Sequence, residues 1–255
     1  MIRPQNVSWE VCRALIAAAT MALLPCHVLA AGGAFAVDDA EIGNPGSCKV
    51  ETWTSFADNR DFAGNATPAC VVDFIAPVEL GAQFQSVRSE GGWTTSVSPK
   101  AKINIIPIET GKVGVGLFGG TSFDHRSGRR TGSFIAVPVT FAISEQFKVN
   151  VNGGWLHDRI DSRHWLTWAA GFKWNFVTPL TLIGEVYGQT RHKDPNRPSL
   201  SRPRAQLGLR YTAADSVDLD IIYGRSISGV SANWITGALN VRFDMPSSST
   251  LAGKF

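Results

Sequence analysis

The stretch FKVNVNGGW, residues 147–155, decides how the rest of the chain is read. Phe147, Val149, Val151 and Trp155 share one parity, and Lys148, Asn150 and Asn152 share the other. Side chains alternate faces along a strand, so this segment has one apolar face and one wholly polar face. The pattern recurs. Val78, Leu80, Ala82 and Phe84 alternate with Glu79, Gly81, Gln83 and Gln85. Leu166, Trp168, Ala170, Phe172 and Trp174 alternate with Thr167, Ala169, Gly171 and Lys173. Leu207, Leu209 and Tyr211 alternate with Gln206, Gly208 and Arg210, and Val217, Leu219 and Ile221 with Asp218 and Asp220.

No window after residue 37 shows a helical period. Strand-like segments fall at 48–57, 68–75, 78–87, 94–106, 112–123, 131–143, 146–156, 164–176, 180–189, 203–212, 217–225 and 233–243. IAP (75–77), PIETG (107–111), SE (144–145), VTP (177–179) and AADS (213–216) connect them as short turns. Between these fall longer, charged connections, among them ADNRDFAGNAT (57–67), RSEGGW (88–93), DHRSGRR (124–130), HDRIDSR (157–163) and RHKDPNRPSLSRP (191–203). Short and long connections thus sort onto opposite ends of one sheet. The fold expected is all-β: an antiparallel transmembrane β-barrel of about twelve strands, with short periplasmic turns and longer extracellular loops.

A soluble sandwich alternates too, with its apolar side chains turned inward. Three features turn them outward here. The polar face carries small residues, such as Gly114, Gly116, Gly120, Gly154, Gly171 and Gly208, which suit a crowded or open lumen. Trp93, Phe123, Trp155, Trp165, Trp174, Phe176, Tyr211, Tyr223 and Phe243 gather near strand ends, where a lipid–water boundary favours such rings. The third feature is an export leader, which leads to the bacterial outer membrane.

Arg3 and Arg13 flank the start of that leader, and ALIAAATMALL (14–24) is its apolar run, broken by Pro25. VLA (28–30) and AFA (34–36) offer small-residue cleavage sites, so residues 1–36 read as a secretory signal peptide cut after Ala30 or Ala36. The run is shorter than the ~20 residues of a spanning helix. The remainder divides into a periplasmic N-terminal segment (37–47), the transmembrane barrel (48–244) and a polar C-terminal tail (245–255). Export leaves only Cys48 and Cys70, in a compartment where a disulfide forms. Two registers are open: a first turn at Asp58–Arg60 sets Cys48 opposite Cys70, and a turn near residue 62 separates them.

The chain resembles a family of Gram-negative outer-membrane barrels, the transporter or phenol meta-pathway porin-like proteins. The resemblance lies in VDDAEIGNPGSCKVETWTSFADN (37–59) and TPACVVDFIAPVELGAQFQ (67–85). It implies an outer-membrane barrel associated with uptake of small, often aromatic molecules. Cys48, Cys70 and the tail MPSSSTLAGKF depart from the family picture.

Inward positions of such a barrel include Lys49, Glu51, Asp73, Glu79 and Arg204, with the pore-lining candidates Lys100, Lys102, Lys148, Lys173, Glu185, Arg210, Asp218, Asp220 and Arg242. A hairpin centred on Ala214 sets Arg210 opposite Asp218, and Glu185 falls within diagonal reach of Lys173. Paired charges brace an interior, whereas the four lysines favour small anions. Phe118, Phe134, Tyr187 and Trp234 also point inward. Twelve strands leave room between a filled barrel and an open porin, so the solute is small.

The expected function is passive passage of small molecules, aromatic or anionic. The alternatives are a structural or lipopolysaccharide-binding barrel without transport, and an outer-membrane lipid hydrolase. Expected partners are outer-membrane lipid, lipopolysaccharide and the solute. Arg126, Arg129 and Arg130 in one outer connection, and Arg191, Lys193, Arg197, Arg202 and Arg204 in or beside another, suit lipopolysaccharide phosphate. With 24 basic against 21 acidic residues, no charge excess points to nucleic acid. Ser162 and His164 stand two apart, with His125, His157 and His192 at the same end, but no GxSxG elbow is present. The spacing HDRIDSRH matches no standard metal site. Hence no catalytic residue, metal or cofactor is expected.

Overall fold

The computed structural model describes residues 34–89, 92–191, 203–227 and 232–245. Across these residues the alternating segments form β1 (Ser47–Ala57), β2 (Phe62–Asp73), β3 (Pro77–Ser89), β4 (Gly92–Ile106), β5 (Val113–Asp124) and β6 (Arg130–Ala142). They continue as β7 (Phe147–Asp158), β8 (Arg163–Val177), β9 (Leu180–Arg191), β10 (Arg204–Ala214), β11 (Val217–Ser226) and β12 (Asn233–Asp244). Each strand pairs antiparallel with its sequence neighbours, and β1 closes on β12 from Ser47↔Asp244 to Ala57↔Trp234. Closure leaves no strand edge without partners, which hydrocarbon would not tolerate.

The opening stretch now has its two faces. Asn150 and Asn152 are 2% and 8% exposed, whereas Val151 and Trp155 are 43% and 37% exposed. The same inversion holds around the wall. Thr67, Gln83, Ser98, Thr140 and Asn240 are buried in the interior, and Ile135, Leu207, Ile221 and Ile235 are exposed on the outside. In water such an apolar belt would drive aggregation. Against lipid acyl chains it is the stable arrangement. Trp93, Trp155 and Tyr223 ring one end of the belt, and Trp174, Tyr211 and Phe243 the other. Trp165 departs from the expected rim: it is buried, because its odd parity in β8 turns it into the lumen.

The end that carries Ser47 and Asp244 also carries the turns 74–76, 107–112, 143–146, 178–179 and 215–216. The far-end connections are shorter than expected. The loop foreseen at 57–67 shrinks to 58–61, because Phe62–Thr67 joins β2 and pairs with β1, Trp53 opposite Asn65. Gly64, Asn65 and Ala66 are weak strand formers, so pairing rather than propensity sets them. Arg60 takes a left-handed φ of 69° to close this turn. Likewise β3 runs to Ser89 and β4 begins at Gly92. The tight first turn sets Cys48 opposite Cys70, and the two form a disulfide.

One segment lies elsewhere than expected. Of the part assigned to the periplasm, 37–47, the end near Gly46 bonds Val71 and Met245 at the mouth that carries Ser47, while its first residues enter the barrel. Residues 34–41 run within the lumen as an extended strap, with Phe35, Val37 and Ala40 buried. The cause is electrostatic and steric: Asp38 and Asp39 meet lumen lysines, and inward glycines make room for the strap's backbone and rings. Residues 1–33 and 246–255, which hold the cut after Ala30 and nearly all of the polar tail, lie outside the described residues.

Candidate functional site

An extended strap inside a barrel brings backbone N–H and C=O groups that must find partners. Side chains of the wall supply them. Glu185 on β9 accepts the N–H groups of Ala36 at 2.9 Å and Val37 at 3.1 Å. Asn152 on β7 accepts the Asp38 N–H and donates to the Asp38 carbonyl, both at 2.8 Å. Thr140 on β6 accepts the Ala40 N–H at 2.9 Å and donates to Asn150 at 2.8 Å. The strap is therefore read by side chains, not by a strand edge.

Its apolar residues fit the wall as well. Phe35 packs on Ile183 and Ile222, and Val37 on Ala169 and Tyr187. Gly208 makes the first contact feasible, since a Cβ there would stand 2.7 Å from the Phe35 ring. Gly116 does the same for Ala40, whose Cα would lie 3.3 Å from such a Cβ. The Arg210 guanidinium lies 5.6 Å from the Phe35 ring centroid, a cation–π distance.

Charge complements this fit. Lys102 Nζ lies 2.9 Å from Asp38 Oδ1 and 3.6 Å from Asp39 Oδ1. Lys173 Nζ takes the other Asp39 oxygen at 2.6 Å, and Lys148 reaches Glu41 at 3.4 Å. Burial pushes the Asp39 carboxyl up, but Lys173 and Lys102 outweigh it and hold it below the usual carboxylate range. Lys100 has no carboxylate partner among the described residues, and with Lys49, Glu51, Glu79 and Phe118 it lines a cleft next to Asp38.

A second network braces β10, β11 and β12. Arg210 donates from Nε and Nη2 to the two oxygens of Asp220, at 2.7 and 2.9 Å. Arg242 donates to Asp218 at 2.6 Å, and Thr212 donates to the same side chain at 2.8 Å. The expected pairing of Arg210 opposite Asp218 gives way to Arg210↔Asp220 and Thr212↔Asp218. The hairpin turns at Asp215–Ser216, beyond Ala214, and a register shift between Thr212 and Ala214 absorbs the difference. Arg210 Nη1 stays within 3.8 Å of Asp218, so the pair persists in weakened form.

The nine pore-lining candidates all point inward, but they split by partner. Lys102, Lys148 and Lys173 hold strap carboxylates, Glu185 holds strap amides, and Arg210, Asp218, Asp220 and Arg242 pair among themselves. Glu185 does not bond Lys173; it accepts from Gln206 at 2.7 Å beside the strap. Sequence reasoning missed Asp38, Asp39 and Thr140, and gave Asn152 and Gln206 only a place on the polar face. The signal for them was the adjacent acidic pair just before a barrel whose inward positions hold more bases than acids.

His157 and His164 are cross-strand partners, stacked at 4.6 Å, with Trp155 stacked beside them. Neither hydrogen-bonds a serine or a carboxylate among the described residues. Ser162 sits in the β7–β8 turn with φ 51°. Arg126 and Arg129 lie in the exposed β5–β6 turn, with Arg130 at the start of β6. His192, Lys193, Arg197 and Arg202 lie outside the described residues, and of the rest of that basic group Arg204 turns inward, 5.9 Å from the Trp234 ring.

Solved structures share this architecture. The NanC porin superposes with a TM-score of 0.59 at 9% identity, covering 75% of this chain and 98% of that one. The KdgM porin in complex with disordered oligogalacturonate gives 0.58 at 9% identity, covering 76% and 99%. An outer membrane channel from Pseudomonas putida F1 gives 0.58 at 8% identity, covering 80% and 98%. The resemblance noted at 37–59 and 67–85 therefore holds for the porin-like outer-membrane barrel fold. No curated protein matches the chain significantly. A family model described as "Uncharacterised conserved protein UCP029691" matches residues 19–243.

Proposed function

The chain belongs to that family, and on this premise we propose that it is a bacterial outer-membrane channel for passive passage of small solutes, anionic by preference. The observation that carries the reading is the charged, amide-rich wall inside a closed cylinder whose outside is apolar. A soluble protein has no use for that inversion, and a purely structural barrel would fill its interior with apolar side chains at less cost. The end with Ser47, Asp244 and the short turns faces the periplasm. Anion preference is supported by Lys102, Lys148 and Lys173, whose partners all belong to the strap and which would form a basic cluster with Lys100 once the strap moved aside.

The strap also favours a second reading, because it occupies the lumen. In that reading the barrel stays shut and Arg126, Arg129 and Arg130 bind lipopolysaccharide phosphate at the outer surface. Planar-bilayer conductance separates the two. Detergent-extracted protein that runs faster on a gel before boiling than after is folded, and such material should conduct, with anions crossing more readily than cations. Folded protein that gives neither conductance nor liposome swelling with small solutes leaves the shut barrel.

A further inference from the structure

The strap presents two adjacent carboxylates, Asp38 and Asp39, to wall lysines that belong to different strands, Lys102 on β4 and Lys173 on β8. Both oxygens of Asp39 are taken, one by each lysine. With the strap docked the Lys102 side chain is almost fully buried, and its ammonium relies on Asp38 and Asp39 in place of water. A buried ammonium without its counter-ion is strongly disfavoured. Beside it Lys100 already faces an open cleft without a carboxylate partner among the described residues.

We propose that this lysine group is a binding site for a small dicarboxylate solute and that Asp38 and Asp39 are its tethered stand-in, occupying the site until solute displaces them. The inference rests on the channel reading and names its substrate class. A solute can match the charged part of the strap's hold, though not the packing of Phe35 and Val37. The strap's polar contacts are made by side chains, and its strongest ones are the two carboxylates on Lys102 and Lys173. A solute with two carboxylates a few bonds apart offers the same lysines the same ligands. Displacement then exchanges one set of ion pairs for another and leaves no lysine bare. A monoanion satisfies one lysine only, and a neutral solute none.

The test uses full-length protein with Ala36→Cys as a reporter, since Ala36 lies in the docked strap behind the acidic pair. Folding is checked by migration before and after boiling. A membrane-impermeant maleimide is applied to the variant in vesicles with succinate, with the neutral diamide of succinate, or with neither. Succinate should raise the labelling rate roughly tenfold at concentrations well above its competition constant. The diamide should leave the rate unchanged. Asp38→Asn with Asp39→Asn, placed on the same reporter, should label fast without solute and respond to neither compound. Equal rates with succinate and its diamide, or no change when both aspartates are replaced, overturn the inference. Succinate conductance through the parent protein is measured in parallel. Labelling that responds while no variant conducts upholds the site and removes the channel. Conductance with indifferent labelling keeps the channel and removes the site.

Discussion

Lys173 Nζ stands 2.6 Å from Asp39 Oδ2, so a wall strand grips a residue that lies ahead of the first strand in sequence. The grip has a pH signature. Burial would raise the Asp39 carboxyl, but Lys173 and Lys102 hold it below the usual range. A depressed folded value means that the contribution to docking is present above the unfolded value of about 4 and is lost only as pH falls through the lower one. Hydrogen exchange at the Ala40 amide, which is held by the Thr140 hydroxyl, should therefore stay slow from about pH 8 to about pH 5 after correction for its intrinsic pH dependence, and quicken only in strong acid. Asp39→Asn should quicken it at all of these pH values. Fast exchange already at neutral pH in the parent protein would show that the strap is not docked.

The outward face should reject charge. Leu209 lies midway along β10 on the lipid side. Leu209→Arg should cost about 2–4 kcal/mol of unfolding free energy in vesicles. Leu209→Met should cost less than about 1.5 kcal/mol. Urea titration followed by tryptophan fluorescence reads both. A neutral or stabilised arginine variant would mean that the outside of the cylinder meets water.

Within the lumen, Arg210 and Asp220 form a two-pronged pair, and Asp220 is fully enclosed. Arg210→Met strands that carboxylate and should cost about 3 kcal/mol. Adding Asp220→Asn should recover part of the loss, since the stranded charge is gone and Asn240 Nδ2, now 2.9 Å from Asp220, still has an amide oxygen to bond. Equal stability of the single and double variants would show that the pair is not coupled.

The strap also bears on processing. Cutting after Ala36 would remove Phe35, which packs on Ile183 and Ile222, and the Ala36 N–H that bonds Glu185. Cutting after Ala30 keeps both. We expect the intact mass of protein extracted from membranes to correspond to a chain that begins at Ala31. A mass that begins at Val37 would leave the Gly208 recess without its ring.

Much of the barrel was legible because period two is a strong signal wherever the two faces meet different media. The run 147–155 is the clearest case. Phe62–Thr67 was not legible, because glycine, alanine and asparagine mask a strand that exists only through pairing with β1. Arg210 meets Asp220 rather than Asp218, because the turn lies at Asp215–Ser216 and not on Ala214, a position that parity counting does not fix. The lumen lysines were found individually, but their partners were not. Asp38 and Asp39 belong to no strand, so alternation says nothing about where they go. Only a comparison of charge between the wall and the segment before it points inward.

The Cys48–Cys70 bond fastens the root of β1 to β2 close to where the strap leaves the lumen. A peptide held so near its berth competes as an intramolecular rival, and short tethers correspond to effective concentrations of order millimolar. Any solute that wins the lysines must be comparably abundant or bind more tightly than a pair of aspartates. The short chain between strap and β1 would thus set a threshold for the proposed solute, below which the cylinder ignores what drifts past its mouth.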